Sequence, residues 1–188
     1  DAVEKFLIRV GNVKNALTEA SSSSDESQIN PAEKANGTGI RNALLEFFKA
    51  GDWEVQEEEG GQTIRIPVKG KNGNWLAHAV PFEDIDQALF VSVCSQKVPE
   101  NKRERIAEYI TRANFGMRIG NFEMDYEDGE VRFKTSIDVE GSRLTYPLVR
   151  QLVIINLQMM DLYLPGITRI IETDTAPKEA IALVEMAT

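Results

Sequence analysis

Few residues in this sequence combine a reactive side chain with a spacing that could support catalysis. His78 is the only histidine of the chain. It could act as a general base if a carboxylate such as Asp84 or Asp86 oriented its ring. Nothing in the sequence fixes that geometry, and a strand histidine that faces solvent or satisfies a hydrogen bond is the more common case. Cys94 ends an apolar run and is predicted to be a small buried hydrophobic residue, not a nucleophile.

Sequence motifs for phosphate, metal and cofactor binding are absent. Neither GxGxxG nor GxxxxGK occurs, and the GxSxG, HExxH and EF-hand patterns are missing as well. The acidic residues within 123–130 could hold a hard cation through oxygen ligands. Their alternation with apolar residues instead favours a solvated strand face. We therefore predict no catalytic residue, no cofactor and no metal site.

The charge and length of the chain exclude several classes of protein. Its 188 residues carry 30 acidic and 21 basic side chains, for a formal net charge of −9. Nucleic-acid affinity comes largely from Lys and Arg that neutralise phosphates, so we expect no nucleic-acid partner. No apolar run approaches the ~20 residues that span a bilayer, and no signal-peptide pattern opens the sequence. We expect no membrane partner and a cytoplasmic location.

Composition divides the chain into four segments. Residues 1–17 repeat apolar side chains at helical spacing, which predicts an amphipathic helix. Residues 18–37 are rich in Ser, Asn and Pro, and Ile29 is their only large apolar residue, so they are predicted to form a linker. We expect an α+β domain over 38–172 and a helical extension over 173–188.

The central domain alternates between the helical and the strand period. A helical stripe over 40–48 precedes several strands, two of which are joined at the turn pair Asn72-Gly73. A second helix, a hairpin turning at Asp128-Gly129 and a long helix over 147–163 follow. Pro165-Gly166 is predicted to stop this last helix. Antiparallel hairpins with segregated helices indicate an α+β fold, with an antiparallel β-sheet flanked by helices in the order α-β-β-β-α-β-β-α and extra terminal helices.

The long helix has more apolar surface than one sheet can cover. One apolar stripe repeats with spacings of 4 and 3 residues, and a second apolar stripe lies beside it. The surplus predicts a partner surface, which the chain's own termini, a second copy or a client peptide could cover. The candidate protein-binding residues are Leu148, Leu152, Ile155, Met159 and Leu162 of the first stripe and Tyr163 of the second.

The segment Asn114–Met124 has the sequence NFGMRIGNFEM and is followed at 128–133 by DGEVRF. Together with the preceding helix and the following strand, these residues resemble the YbjN family, described as a "putative bacterial sensory transduction regulator". The resemblance extends over Thr38–Ile171. It implies a fold similar to type III secretion chaperones and a role in stress or motility regulation, with no catalytic residue to carry over. Such chaperones are likewise small, acidic and often dimeric.

The sequence therefore favours a non-enzymatic, protein-binding regulator or chaperone-like adaptor in bacterial stress or sensory signalling. It would capture a protein or peptide partner as a helix in a groove or as a strand added to the sheet, and a homodimer is one form of this. The alternative is an enzyme or small-molecule-binding protein with a sheet-lined pocket near His78. A third hypothesis is autoinhibition, in which the helix over 1–17 occupies the groove until a partner displaces it.

Overall fold

A computed structural model describes residues 39–57 and 62–186 of the chain. The predicted helix over 1–17 and the predicted linker over 18–37 lie outside these residues. The described elements, in chain order, are α1 (Ile40–Ala50), β1 (Gln56–Glu57), β2 (Ile64–Lys69), β3 (Asn74–Phe82), β4 (Gln87–Val93), a 3-10 turn (Glu100–Lys102), α2 (Arg103–Asn114), β5 (Asn121–Met124), β6 (Val131–Asp138), α3 (Tyr146–Glu172) and α4 (Pro177–Glu185).

The strands form one six-stranded antiparallel sheet in the order β1-β2-β3-β4-β6-β5. Alternation along the strands directs one set of apolar side chains, including Ile64, Ala79 and Phe90, toward the helices. The predicted α+β fold with an antiparallel sheet and flanking helices is confirmed. The sheet has one strand more than the predicted order, because the two residues of β1 pair with the start of β2.

Two buried clusters lie between the sheet and the helices, and α3 belongs to both. Its first half, with Val149 and Val153, packs in a cluster with α1. Its second half, with Met160 and Ile167, packs in a cluster with α2 and α4. At 27 residues, α3 spans ~40 Å at ~1.5 Å per residue, which is long enough to cross the whole sheet. α3 is therefore the element that joins the two halves of the core.

A buried polar network fixes α3 on the middle of the sheet. The Asn156 side chain is fully buried and donates from Nδ2 to the Phe90 carbonyl at 2.8 Å and to the Phe133 carbonyl at 3.0 Å. In return, the Thr135 hydroxyl of β6 donates to the Leu152 carbonyl of α3 at 2.8 Å. These bonds require one rotation and one axial position of the helix, so they set which side chains of α3 face outward.

The prediction that Pro165-Gly166 stops the long helix is wrong. α3 continues through both residues to Glu172. A proline at position 165 cannot donate to the carbonyl four residues earlier, and Asn72 replaces the missing donor: its Nδ2 donates to the Asp161 carbonyl at 2.9 Å. The glycine leaves room for α2, because a Cβ atom at Gly166 would lie 2.1 Å from Tyr109 Oη. Contacts with distant residues thus allow α3 to continue through a proline–glycine pair that would be expected to end it.

The turn between β2 and β3 rests directly on α3. The Asn72 N–H donates to Asp161 Oδ1 at 2.8 Å, in addition to the side-chain bond. A Cβ atom at Gly70 would lie 2.2 Å from Asp161 Oδ1, and one at Gly73 would lie 2.7 Å from Leu164. Positive φ angles among the described residues do not include Asn72 or Gly73. These glycines are needed for close approach to the helix and not for a left-handed turn.

A double-mutant cycle on Asn72 and Pro165 tests this replacement of the helix donor. Asn72→Ala should lower the free energy of unfolding by about 1 kcal/mol, because the Asp161 carbonyl loses its donor. In a Pro165→Ala background the same change should cost clearly less, since the residue 165 N–H then supplies the bond, giving a coupling of roughly 0.5–1 kcal/mol. Urea unfolding of the four proteins measures it, and equal costs in both backgrounds would contradict the interpretation.

Candidate binding surface on the long helix

The outer side of α3 forms the floor of an open groove of about 620 Å³. One wall is α4 and the other is the β2–β3 turn. We call it the α3–α4 groove. The residues that line it are Lys71, Asn72, Gln158, Met159, Asp161, Leu162, Pro165, Gly166, Arg169, Ala180, Leu183 and Val184.

A second, smaller groove of about 320 Å³ lies on the other side of the β2–β3 turn. Trp53, Pro67 and Leu157 are among its lining residues. Gln158 and Asp161 line both grooves. The turn that Asn72 attaches to Asp161 therefore separates two apolar depressions on the same helix.

The structure divides the six predicted binding residues into three groups. Met159 and Leu162 are half-buried and line the α3–α4 groove. Leu148 and Ile155 are half-buried nearer the start of α3 and line neither groove. The remaining two, Leu152 and Tyr163, are 5% and 7% exposed and belong to the core.

Sequence reasoning missed the groove residues outside the predicted stripe. Leu183 on α4 is 46% exposed and forms part of one wall, yet nothing local in the sequence distinguishes it from a core leucine. Arg169 could not be predicted as a groove residue, because the helix was expected to end before it. Pro165, interpreted as a helix stop, is an exposed part of the groove floor.

The groove lining is more positive than the chain as a whole. Lys71 and Arg169 are exposed within it. Asp161 is its acidic residue, and one oxygen of its carboxylate accepts the Asn72 N–H. The whole chain carries a net charge of −9, so a lining with two cationic side chains and one carboxylate differs in sign from the average surface.

Two basic residues, one just before α2 and one in its first turn, hold the connection between α3 and α4. Lys102 Nζ donates to the Thr173 carbonyl at 2.6 Å. Arg105 donates to the carbonyls of Asp174 and Thr175 at 2.7 and 2.9 Å. Hydrogen bonding and charge from Lys102, with the nearby Arg105 charge, lower the pKa of the Asp174 carboxyl. These two basic side chains thus position the α4 wall.

His78 lies away from both grooves. It is buried in β3, between Ala77 and Ala79, which pack toward the helices, so its own side chain is on the opposite face of the sheet. Asp84 and Asp86 follow the end of β3 at Phe82, which is ~13 Å from His78 at ~3.3 Å per strand residue. The hypothesis of a sheet-lined pocket near His78 therefore concerns neither groove, since His78 lines neither of them.

The cysteine and the acidic residues considered in the sequence analysis lie in surroundings that favour a structural role. Cys94 is buried, and burial raises the pKa of its thiol, which disfavours the reactive thiolate. Glu123 accepts hydrogen bonds from Arg132 Nε at 2.5 Å and Lys134 Nζ at 2.9 Å across the β5–β6 pair. Within 39–57 and 62–186, no group of three or more His, Cys, Asp or Glu side chains could hold a metal ion.

Two features near the edges of the described sheet hinder strand addition. At the β5 edge, the Asn114 side chain accepts the Phe122 N–H at 2.7 Å and donates to the Phe122 carbonyl at 2.9 Å. At Phe122 the amide thereby occupies the main-chain groups that an added strand would use. On the other side of the sheet, Pro67 lies in β2 beyond the residues that pair with β1, and it has no N–H to offer. Pro67 therefore lies on a part of β2 that has no described strand on its outer side.

A family model described as "Putative bacterial sensory transduction regulator", named YbjN, matches residues 41–169. This chain belongs to the YbjN family. The resemblance stated from the segment Asn114–Met124 is confirmed. In the part of this YbjN-family chain that the structure describes, no helix has the length and apolar character needed to cross a membrane.

One solved structure agrees with this assignment at the level of the fold. The crystal structure of YbjN, "a putative transcription regulator from E. coli", is 13% identical, with a TM-score of 0.51, covering 66% of this chain and 90% of that one. The structure of the HopA1–SchA chaperone–effector complex is 12% identical, covering 62% of this chain and 84% of that one, and its TM-score of 0.42 is too low to establish a shared fold. No curated protein matches the chain.

The closure of the β5 edge by Asn114 leads to a prediction. Asn114→Ala should lower the free energy of unfolding by about 1–2 kcal/mol. It leaves the part-buried Phe122 N–H without its acceptor and leaves the Phe122 carbonyl with only the longer bond from Asn121 Nδ2, at 3.3 Å. It should also increase self-association, because a free strand edge is exposed. Urea unfolding and sedimentation velocity measure the two effects. Asn101→Ala, at an exposed turn asparagine, is the control, and identical behaviour of the two variants would refute the edge role.

Proposed function

We propose that this YbjN-family chain is a non-enzymatic regulator that binds a helical segment of a partner protein in the α3–α4 groove. The observation that carries the proposal is the groove itself, a long open depression with an apolar floor and charged residues at its rim. Helix-in-groove recognition uses such a surface, with apolar anchors of the ligand spaced three or four residues apart. The family description, a sensory transduction regulator, is compatible with a binding role.

The way in which the sheet ends supports a helix over a strand as the bound element. Strand addition needs a row of available N–H and C=O groups on an edge strand. The Asn114 amide occupies these groups at Phe122, and Pro67 lacks the donor on the other side. Of the two capture modes expected from the sequence, the groove on α3 is therefore the better supported.

The chemistry of the groove supports binding over catalysis. Its lining residues are mainly apolar or charged side chains, and they include neither a histidine nor a cysteine. Catalysis by general acid–base or nucleophilic chemistry needs a paired and oriented group. His78, the candidate for an enzymatic alternative, is on the opposite face of the sheet. A second copy of the chain is an alternative occupant of the groove, and the partner experiment distinguishes it.

The part of the surface best suited to a test is the α4 wall. Leu183 and Met186 are both exposed, at 46% and 84%. Leu183 lies in the last turn of α4, and Met186 directly follows the end of that helix. Only Leu183 lines the groove. Aspartate at either position should therefore leave the core intact, which is not true of substitutions at the buried Leu152.

We expect Leu183→Asp to weaken partner binding by about 30-fold, the loss typical of an interface hot spot, while Met186→Asp binds like the wild type. The chain would be used to isolate its partner from native cells, and calorimetry with the purified partner would give the affinities. Unfolding curves confirm that both variants fold. Equal affinity of the two variants would contradict the proposed site, and isolation of only the chain itself would assign the groove to a homodimer.

A further inference from the structure

We infer that the α3–α4 groove selects an acidic amphipathic helix of about three turns. This inference rests on the proposed function and specifies the chemistry of the partner segment. It combines the charge of the groove rim, the length of its floor and the apolar character of its walls.

Charge complementarity favours an acidic ligand. Lys71 on the β2–β3 turn and Arg169 on α3 are both exposed at the rim. The carboxylate of Asp161 lies between these elements, but its Oδ1 already accepts the Asn72 N–H at 2.8 Å, and the adjoining main-chain carbonyl accepts the Asn72 side chain. The two cations are thus the charges most available to a ligand, and acidic side chains would pair with them.

The length of the floor sets the size of the bound segment. The lining residues on α3 run from Gln158 to Arg169, which corresponds to ~17 Å along a helix axis at ~1.5 Å per residue. A ligand helix lying along this floor would cover it with about 11 residues, or three turns. Its apolar side chains would contact Leu162 and Pro165 below and Leu183 on the α4 wall.

The chain's own first segment is a poorer match for this groove. Residues 1–17 contain three basic and two acidic side chains, so their net charge has the same sign as the groove lining. Their apolar stripe resembles that of the inferred ligand, but their charge does not. The charge pattern therefore favours a partner segment outside this chain over occupation by residues 1–17.

A selection experiment with a random peptide library tests the inference on the full chain. A phage-displayed library of 16-residue peptides would be selected against wild-type protein and counter-selected against Leu183→Asp. We expect the enriched peptides to carry apolar residues at helical spacing and more Asp and Glu than Lys and Arg. Enrichment of basic helices would overturn the inferred charge while supporting the groove. Peptides that bind Leu183→Asp equally well would overturn both the inference and the proposed function.

Charge reversal on the protein then tests the role of the two cations. The double variant Lys71→Glu/Arg169→Glu should bind the most enriched peptide about tenfold more weakly than wild type. The matched control is Lys49→Glu/Arg150→Glu, which makes the same change in net charge at exposed positions outside the groove. Equal weakening in both double variants would overturn a specific role for Lys71 and Arg169.

A competition experiment distinguishes the intramolecular occupant. A synthetic peptide of residues 1–17 is added to the complex of the full chain with the enriched acidic peptide. We expect it to compete at least tenfold less well than the unlabelled acidic peptide. Displacement at an equal or lower concentration would assign the groove to the chain's own first segment and overturn the inference of an acidic partner.

Discussion

The side-chain amide of Asn156 is the interaction on which the architecture depends. It is fully buried in the first half of α3 and joins that helix to the carbonyls of two neighbouring strands. Its Oδ1 is buried and has no hydrogen-bond partner among the described residues, which costs stability. A buried amide of this kind commonly fixes register at the expense of stability. Here it determines which face of α3 enters the core and which face forms the groove.

The Pro165-Gly166 pair also fixes the position of α3, in the second half of the helix. The proline frees the Asp161 carbonyl for Asn72, and the glycine admits Tyr109, whose hydroxyl donates to the Tyr163 carbonyl at 3.0 Å. Burial raises the pKa of Tyr109, so this donor stays protonated. The β2–β3 turn and α2 are thus attached to α3 at the point where its main-chain hydrogen bonding is interrupted. The attached β2–β3 turn forms one wall of the groove.

The fold class and the family could be predicted from the sequence, whereas the end of α3 and the groove residues could not. Helical and strand periodicity identified the α+β fold, and the residues around Asn114–Met124 pointed to the family. The end of α3 could not be predicted, because the residue that compensates for Pro165 is far away in the chain. Periodicity also could not separate Met159, in the groove, from Leu152, in the core, on a helix that is apolar on most sides. The sequence did contain one sign of the buried polar network, since Asn156 is an amide placed between the apolar residues Ile155 and Leu157.

The central claim, that ligands bind on the outer side of α3 beside α4, can be tested most directly with methyl NMR. The chain has five methionines, and two adjacent ones differ sharply: Met159 lines the groove, whereas Met160 is fully buried. With ¹³C-labelled methionine methyl groups, addition of the purified partner should shift the Met159 signal strongly and leave Met117 and Met124, near β5, unchanged. Shifts at Met117 and Met124 with none at Met159 would contradict the account.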